Sequence, residues 1–313
     1  EDRGGRAGAG ARRGRHPGVS PRMFARLSCQ LVCGGRVIDL GRRTCVMGVL
    51  NVTPDSFSDG GRFFDPAAAV AQGERMAAEG ADLIDVGGES TRPFADPVPA
   101  DEEIRRVVPV VAELARRVAV PISVDTTKPE VARRALAAGA AMVNDISGLH
   151  LAPELARAAA EHGAALVLMH MRGEPRTMQL DPRYDDLVGE IRDYLLEGVA
   201  RAEAMGVERS HLVVDPGIGF GKTGAHNLEL IRRLPDLAGL GLPILVGVSR
   251  KAFIRKLVKP PEAADVPAEL PVVATGTQAA VAACVLNGAH IVRVHDVAAT
   301  VATVKVVDAI LNG

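Results

Sequence analysis

The run Val46-Met47-Gly48-Val49-Leu50-Asn51-Val52-Thr53-Pro54-Asp55-Ser56-Phe57-Ser58-Asp59-Gly60-Gly61 sets the reading of the whole chain. From Cys45 to Leu50 it is apolar with one glycine, the pattern of a strand buried on both faces. After Asn51 it turns polar, is broken by Pro54 and ends in Gly60-Gly61, the composition of a loop. An apolar strand opening into a polar, glycine-bearing loop is how an α/β barrel presents a site. A single such unit is equally an ordinary buried strand and its connection. Recurrence is what gives it meaning.

The unit does recur. Apolar runs predict strands over Cys45–Leu50, Leu83–Val86, Ile122–Asp125, Met142–Ile146, Ala165–Met169, Leu212–Asp215, Ile244–Val248 and Ile291–Val294. Helical patterns fall between and after them, over Pro66–Glu79, Asp101–Arg117, Pro129–Ala138, Pro153–Glu161, Tyr184–Met205, His226–Leu234, Thr277–Leu286 and Val297–Leu311. Pro66, Pro129 and Pro153 stand where helices start, and Gly80, Gly139, Gly163 and Gly206 where they stop. Eight strand–helix units with doubly buried strands predict an α/β fold, a single-domain (β/α)8 TIM barrel. A doubly wound open sheet is the alternative, and it would ordinarily need fewer strands or a second domain.

Composition agrees. The chain has 313 residues, a formal net charge of −1 and 47% hydrophobic residues, enough for one large core. Near-zero charge supplies no field for nucleic acid or anionic lipid, and 3% aromatics without tryptophan argue against base stacking. No apolar run has the length of a membrane span. Cys29, Cys33, Cys45 and Cys284 form no Cys-x-x-Cys pair and are read as free thiols of a cytoplasmic protein. Residues 1–22 are rich in Gly and Arg without apolar periodicity. A basic nucleic-acid arm and a transit peptide are the alternatives; a disordered extension, translated upstream of a start at Met23, is expected. The barrel is expected over 23–313.

Polar residues gather where the predicted strands end. Asn51 ends the first, and Asp85 with Gly87-Gly88-Glu89-Ser90-Thr91-Arg92-Pro93 follows the second. Asp125 ends the third, Asn144-Asp145 the fourth, His170 and Arg172 the fifth. Asp215, Ser249-Arg250-Lys251 and Arg293-Val294-His295-Asp296 finish the series. Any one of these could be a cap or a turn residue. Eight in succession describe a site. Two apparent motifs fail inspection. Gly217-Ile218-Gly219-Phe220-Gly221-Lys222-Thr223 lacks the first glycine of a triphosphate-binding loop, Pro216 standing there, and Lys222 occupies the last glycine of a dinucleotide fingerprint. The eight histidines show no metal-ligand spacing.

These residues carry a resemblance. Asn51 to Gly61 and Asp85 to Pro93 resemble the first two signatures of the dihydropteroate synthases. Ser123-Val124-Asp125-Thr126, Val143 to Gly148, Asp215 to Lys222, Ser249-Arg250-Lys251 and Arg293 to Val297 resemble the rest, in order, over about residues 40 to 311. The resemblance implies condensation of (7,8-dihydropterin-6-yl)methyl diphosphate with 4-aminobenzoate, giving dihydropteroate and diphosphate for folate synthesis. It implies that Asp215 accepts the paired donors of the pterin edge, a geometry that suits a carboxylate. Asn144, Lys251 and Asp125 match further pterin contacts, and Met169 the ring face. Arg293, the backbone of Val294, His295 and Thr91 match diphosphate contacts. Asn51 matches a ligand of Mg²⁺ shared with the diphosphate. Asp125, Lys251 and Arg293 carry the catalytic expectation. Pro54, Phe57, Arg92, Pro93, Phe94 and Ser249 match the aminobenzoate side, with the loops Thr53–Phe64 and Ser90–Ala100 closing over it. The partners implied are small molecules and a second copy of the chain as a homodimer, with neither nucleic acid nor membrane.

One residue departs from the family pattern. Phe94 stands where a glycine is usual, so second-substrate selectivity, and with it sulfonamide sensitivity, is expected to differ. A corrinoid-dependent methyltransferase domain shares the barrel and pterin-type motifs, but it should lack the Arg293-x-His295 and Ser249-Arg250-Lys251 set. A non-catalytic pterin carrier should have lost Asn51 or Arg293.

Overall fold

The computed structural model describes residues 26–53, 65–90, 96–174 and 176–313. The expected disordered extension over residues 1–22 lies outside them. Eight parallel strands form the sheet: β3 (Cys45–Asn51), β4 (Leu83–Gly87), β5 (Ile122–Asp125), β6 (Met142–Asp145), β7 (Ala165–Met169), β8 (Leu212–Asp215), β9 (Leu245–Val246) and β10 (Ile291–Val294). Their order is β8-β7-β6-β5-β4-β3-β10-β9. A parallel bridge between Val214 and Ile244 joins the two ends, with Val214 N–H donating to the Pro243 carbonyl at 3.0 Å. The sheet is thus a closed (β/α)8 barrel. Helices α1 (Pro66–Ala78), α2 (Ala100–Arg117), α3 (Pro129–Ala137), α4 (Glu154–Glu161), α5 (Leu187–Ala204), α6 (Gly224–Arg232), α7 (Ala252–Val258), α8 (Pro271–Leu286) and α9 (Val297–Asn312) surround it.

Alternation along each strand separates two apolar layers. Val46, Ile84, Val86, Val124, Val143, Leu166, Leu168, Val214, Val246 and Val292 pack outward on helix residues such as Val107, Val111, Leu114 and Val131. Cys45, Met47, Leu83, Met142, Ala165, Val167, Val213, Leu245 and Ile291 pack inward on one another. The antiparallel hairpin of β1 (Cys29–Cys33) and β2 (Arg36–Leu40) adds Leu31, Cys33 and Leu40 to this inner layer and plugs the amino end of the barrel. The carboxyl end is left for polar groups.

The sequence pattern did not predict the hairpin or α7. Helix α8 starts at Pro271 rather than Thr277, a proline at the first helical position being well placed there. Helix α5 starts after Asp186, whose side chain accepts from Gly189 N–H and caps it. β9 has two residues, because the chain then turns into the Ser249-Arg250 loop. All four cysteines are free. Among the described residues no helix is long and apolar enough to cross a membrane.

Candidate active site

Two residues beyond the inner apolar layer, the same face of β4, β6, β8 and β10 turns polar. Asp85 follows Leu83, Asn144 follows Met142, Asp215 follows Val213 and Arg293 follows Ile291. Ser123 and Asp125 continue the series on β5, where the register sets Asp85 beside Ser123 and Asp125 beside Asn144. Strand register and side-chain parity together converge these groups at the carboxyl end, where barrels carry their chemistry.

At the centre lies an ionic cluster. Arg293 Nε donates to Asp85 Oδ2 at 2.6 Å and Nη2 to Asp125 Oδ2 at 2.8 Å. Asn144 Nδ2 donates to the same Asp85 Oδ2 at 2.9 Å. Burial pushes the Asp125 carboxyl up to about 7, against the opposing pull of Arg293. Burial works against the Arg293 charge too, but Asp85 and Asp125 more than offset it and raise its pKa. The guanidinium therefore stays charged, and its remaining N–H groups can meet an anion.

A second group lies across the barrel. Asp215 Oδ1 accepts from Gly217 N–H at 2.7 Å, and burial raises its pKa against the pull of Lys251. Lys251 Nζ donates to the Ile218 carbonyl and sits 4.8 Å above the Phe220 ring. Burial lowers the Lys251 pKa to about 8, with Asp215 opposing. Met169 pairs in register with Asp215 and joins Ile146, Met171, Met178 and Phe220 in an apolar wall. A flat heterocycle placed here would meet an acceptor, a cation and an apolar face.

Ser249 and His295 are joined to each other. The Ser249 hydroxyl accepts from His295 N–H at 3.2 Å and lies 3.0 Å from His295 Nδ1. The resemblance sets Ser249 on the aminobenzoate side and His295 on the diphosphate side, and this bond makes the two side chains neighbours. Val294 packs its side chain in the outer layer, leaving its backbone to the barrel mouth. Asn51 ends β3 half-buried, next in register to Gly87. Among the described residues no cluster of three His, Cys, Asp or Glu could hold a metal. Asn51 offers one neutral oxygen, a ligand type that fits Mg²⁺ when phosphate oxygens supply the charge. Pro54, Phe57, Thr91, Arg92, Pro93 and Phe94 lie outside the described residues.

Two participants had no assigned role in the sequence reading. Asp85 is fully buried and accepts from both Arg293 and Asn144. A carboxylate inside the apolar run Leu83-Ile84-Asp85-Val86, in phase with the inner layer, was the available signal. Lys222 is buried against His170, and in the sequence it stands only in an incomplete phosphate motif.

A model of the family described as pterin binding enzyme matches residues 47–295. The dihydropteroate synthase of Synechocystis sp. is 48% identical over 280 residues, covering 90% of this chain and 94% of that protein. The chain belongs to the dihydropteroate synthase family. It is accordingly a transferase of folate biosynthesis. Among solved structures of the family, the Xanthomonas albilineans dihydropteroate synthase with 4-aminobenzoic acid superposes with a TM-score of 0.82 at 46% identity, covering 92% of this chain and all of that one. The same enzyme in complex with 7,8-dihydropteroate gives 0.78 at 44% identity, covering 91% and 99%.

Proposed function

We propose that this chain condenses (7,8-dihydropterin-6-yl)methyl diphosphate with 4-aminobenzoate, releasing 7,8-dihydropteroate and diphosphate. The observation that carries this is the pairing, at one barrel mouth, of a carboxylate–lysine pocket with an apolar wall and a guanidinium–histidine pocket. The first suits a pterin and the second a diphosphate. Asp215 accepts the two parallel donors of the pterin edge, Asn144 and Lys251 bond its other ring atoms, and Met169 lies on its face. Arg293, His295 and the Val294 backbone bind the diphosphate, joined by Thr91.

In the reaction the methylene C–O bond breaks and its electron pair leaves with the diphosphate. Ionised Asp125 stabilises the positive charge that develops on the pterin methylene. The arylamine lone pair then forms the C–N bond, and its surplus proton leaves to water. A neutral amine needs no strong base in order to attack. Mg²⁺, when bound through Asn51 and the substrate, would neutralise charge on the diphosphate oxygens.

Diphosphate release that depends on 4-aminobenzoate is the first test. Calorimetry with the hydroxymethyl pterin, which lacks the diphosphate, then divides the site. Asp215→Ala should lose its binding, whereas Arg293→Ala should keep it and lose turnover, each lost contact being worth about 2–5 kcal/mol. Equal losses in both variants would refute the division. Mg²⁺ should bind tightly only together with the diphosphate, and tight binding to the free enzyme would argue against Asn51 as a shared ligand. Phe94 extends the reading to inhibitors. A bulky ring in a loop beside the aminobenzoate should exclude the tetrahedral sulfonyl group more than the flat substrate. Phe94→Gly should therefore lower the sulfonamide inhibition constant relative to the KM for 4-aminobenzoate, and an unchanged ratio would end this idea.

A further inference from the structure

The segment from Asp215 to Lys222 ends in a lysine that the proposed reaction leaves unused. Lys222 is 2% exposed. Its Nζ lies 2.8 Å from His170 Nδ1 and donates to the Phe220 carbonyl at 3.0 Å. His170 is itself buried, and burial together with Lys222 pushes its pKa down to about 2, so the ring is neutral and Nδ1 accepts. Both partners of this lysine are therefore uncharged.

Burial drives the Lys222 pKa well down, against the pull of the Asp215 carboxylate. A lysine held in such a place is expensive, and a methionine of similar length would fill the space without that cost. Packing alone does not account for the lysine. Its bonds do. The Phe220 carbonyl belongs to the loop, while His170 directly follows β7 and donates its N–H to the Asp215 carbonyl at 2.9 Å. Gly217 sits so close to the His170 carbonyl that a Cβ there would lie 1.8 Å from it. Tyr184 Oη donates to the Gly221 carbonyl at 2.8 Å from the other side. The loop is thus held at both ends to the residue that follows β7, with Lys222 and Tyr184 together holding its far end. Between those ends lie the Ile218 carbonyl that accepts Lys251 and the ring beneath its Nζ.

We propose that Lys222 is a positioning residue: by bridging His170 and the Phe220 carbonyl it fixes the loop that places Lys251 and Asp215 for the pterin. The glycine–lysine motif that imitates a phosphate loop is then a frame for a heterocycle site, with its lysine turned inward. This role rests on the proposed reaction.

The test uses the full chain, the hydroxymethyl pterin as calorimetric ligand, and steady-state kinetics. Lys222→Met should unfold at the same temperature as wild type or higher, yet bind the pterin about tenfold or more weakly. The KM for the pterin diphosphate should rise by a similar factor, with the KM for 4-aminobenzoate held within about twofold. His170→Asn keeps an acceptor near the Nδ1 position and should retain pterin affinity, whereas His170→Leu should match Lys222→Met. Both histidine variants lose the edge contact with Tyr194, at 4.7 Å between ring centroids, so melting temperature alone would not separate them. Wild-type affinity in Lys222→Met, or equal losses in the two histidine variants, would overturn the role. Should Lys222→Met fail to fold, the histidine pair decides. Wild-type protein that does not bind the pterin would overturn the substrate assignment itself.

Discussion

Asp125 is held in a conflict between burial and its neighbour. Burial favours the neutral acid, Arg293 favours the carboxylate, and the outcome is a pKa raised from 3.8 to about 7. The consequence for stability has a definite sign. Because the folded pKa is the higher one, the folded protein binds more protons between about pH 4 and 7. Asp125's stabilising contribution is therefore full below about pH 4 and is lost as pH rises through 7. The proposed chemistry needs the opposite form. Catalysis should accordingly rise over the range in which this residue costs stability, with kcat/KM falling about tenfold per pH unit below 7. Asp125→Asn should flatten that limb, lower kcat/KM and remove the associated slope of unfolding free energy between pH 4 and 7. A denaturant series at several pH values, beside a pH–rate profile, measures both. Lys251 behaves in the mirror sense: its pKa is depressed to about 8, so its contribution is present above about 10.5 and lost as pH falls through 8. At this scale the sequence showed most of the site. Asp125, Asn144, Asp215 and Arg293 stand at strand ends in the parity of the barrel interior. Asp85 was noticed but given no role, because a carboxylate within an apolar run reads as a strand residue until its partners are known.

The loop after β8 shows how much an element can depend on backbone freedom. Gly217, Gly219 and Gly221 all have positive φ, at 69°, 84° and 62°. At Gly217 the constraint is double, since the conformation is left-handed and a Cβ would strike the His170 carbonyl at 1.8 Å. Gly163 is also left-handed, φ 57°, with nothing within 4 Å of a Cβ. The pair separates strain from collision. Gly163→Ala should cost about 1–2 kcal/mol, the price of a left-handed alanine. Gly217→Ala should cost more than about 2–3 kcal/mol and weaken pterin binding too, because the loop must move. Chemical denaturation and pterin calorimetry on both variants check this, and equal costs would show that the His170 contact yields freely. Elements long enough to show periodicity were legible: Pro66–Ala78 and Pro129–Ala137 were found to within a residue of their ends. The unseen elements were short or lacked a start signal. α7 has seven residues and no side-chain cap. β1 and β2 flank a Gly34-Gly35 turn, which is a hairpin signal, but their five-residue runs do not alternate cleanly between apolar and polar.

Across the whole molecule the two ends of the barrel carry different duties. The carboxyl end carries a buried ionic cluster and an apolar wall. The amino end is sealed by a hairpin whose Leu31, Cys33 and Leu40 are buried with Met47, Leu83, Met142 and Ile291. The same end ties distant parts of the chain together. Arg26 Nη2 donates to Asp308 Oδ1 and to Thr44 Oγ1, each at 3.0 Å, joining the chain before the hairpin to β3's approach and to α9. A barrel filled from below transmits stability to all eight strands, whereas its mouth can vary its chemistry without refolding. Leu31 is the sharpest probe of this division, being fully buried at the plug and on the opposite side of the inner apolar layer from Asp215. Leu31→Ala should lower unfolding free energy by about 2–5 kcal/mol, the lost transfer energy plus the cavity left behind. It should leave both KM values and kcat near wild type at temperatures well below the melting transition. Asp215→Ala should instead abolish pterin binding, and should also cost stability, because it leaves Lys251 buried without the carboxylate that opposes its desolvation. A Leu31→Ala enzyme with an altered KM at full folding would show that packing at the plug reaches the mouth, and that the two ends are coupled rather than separate.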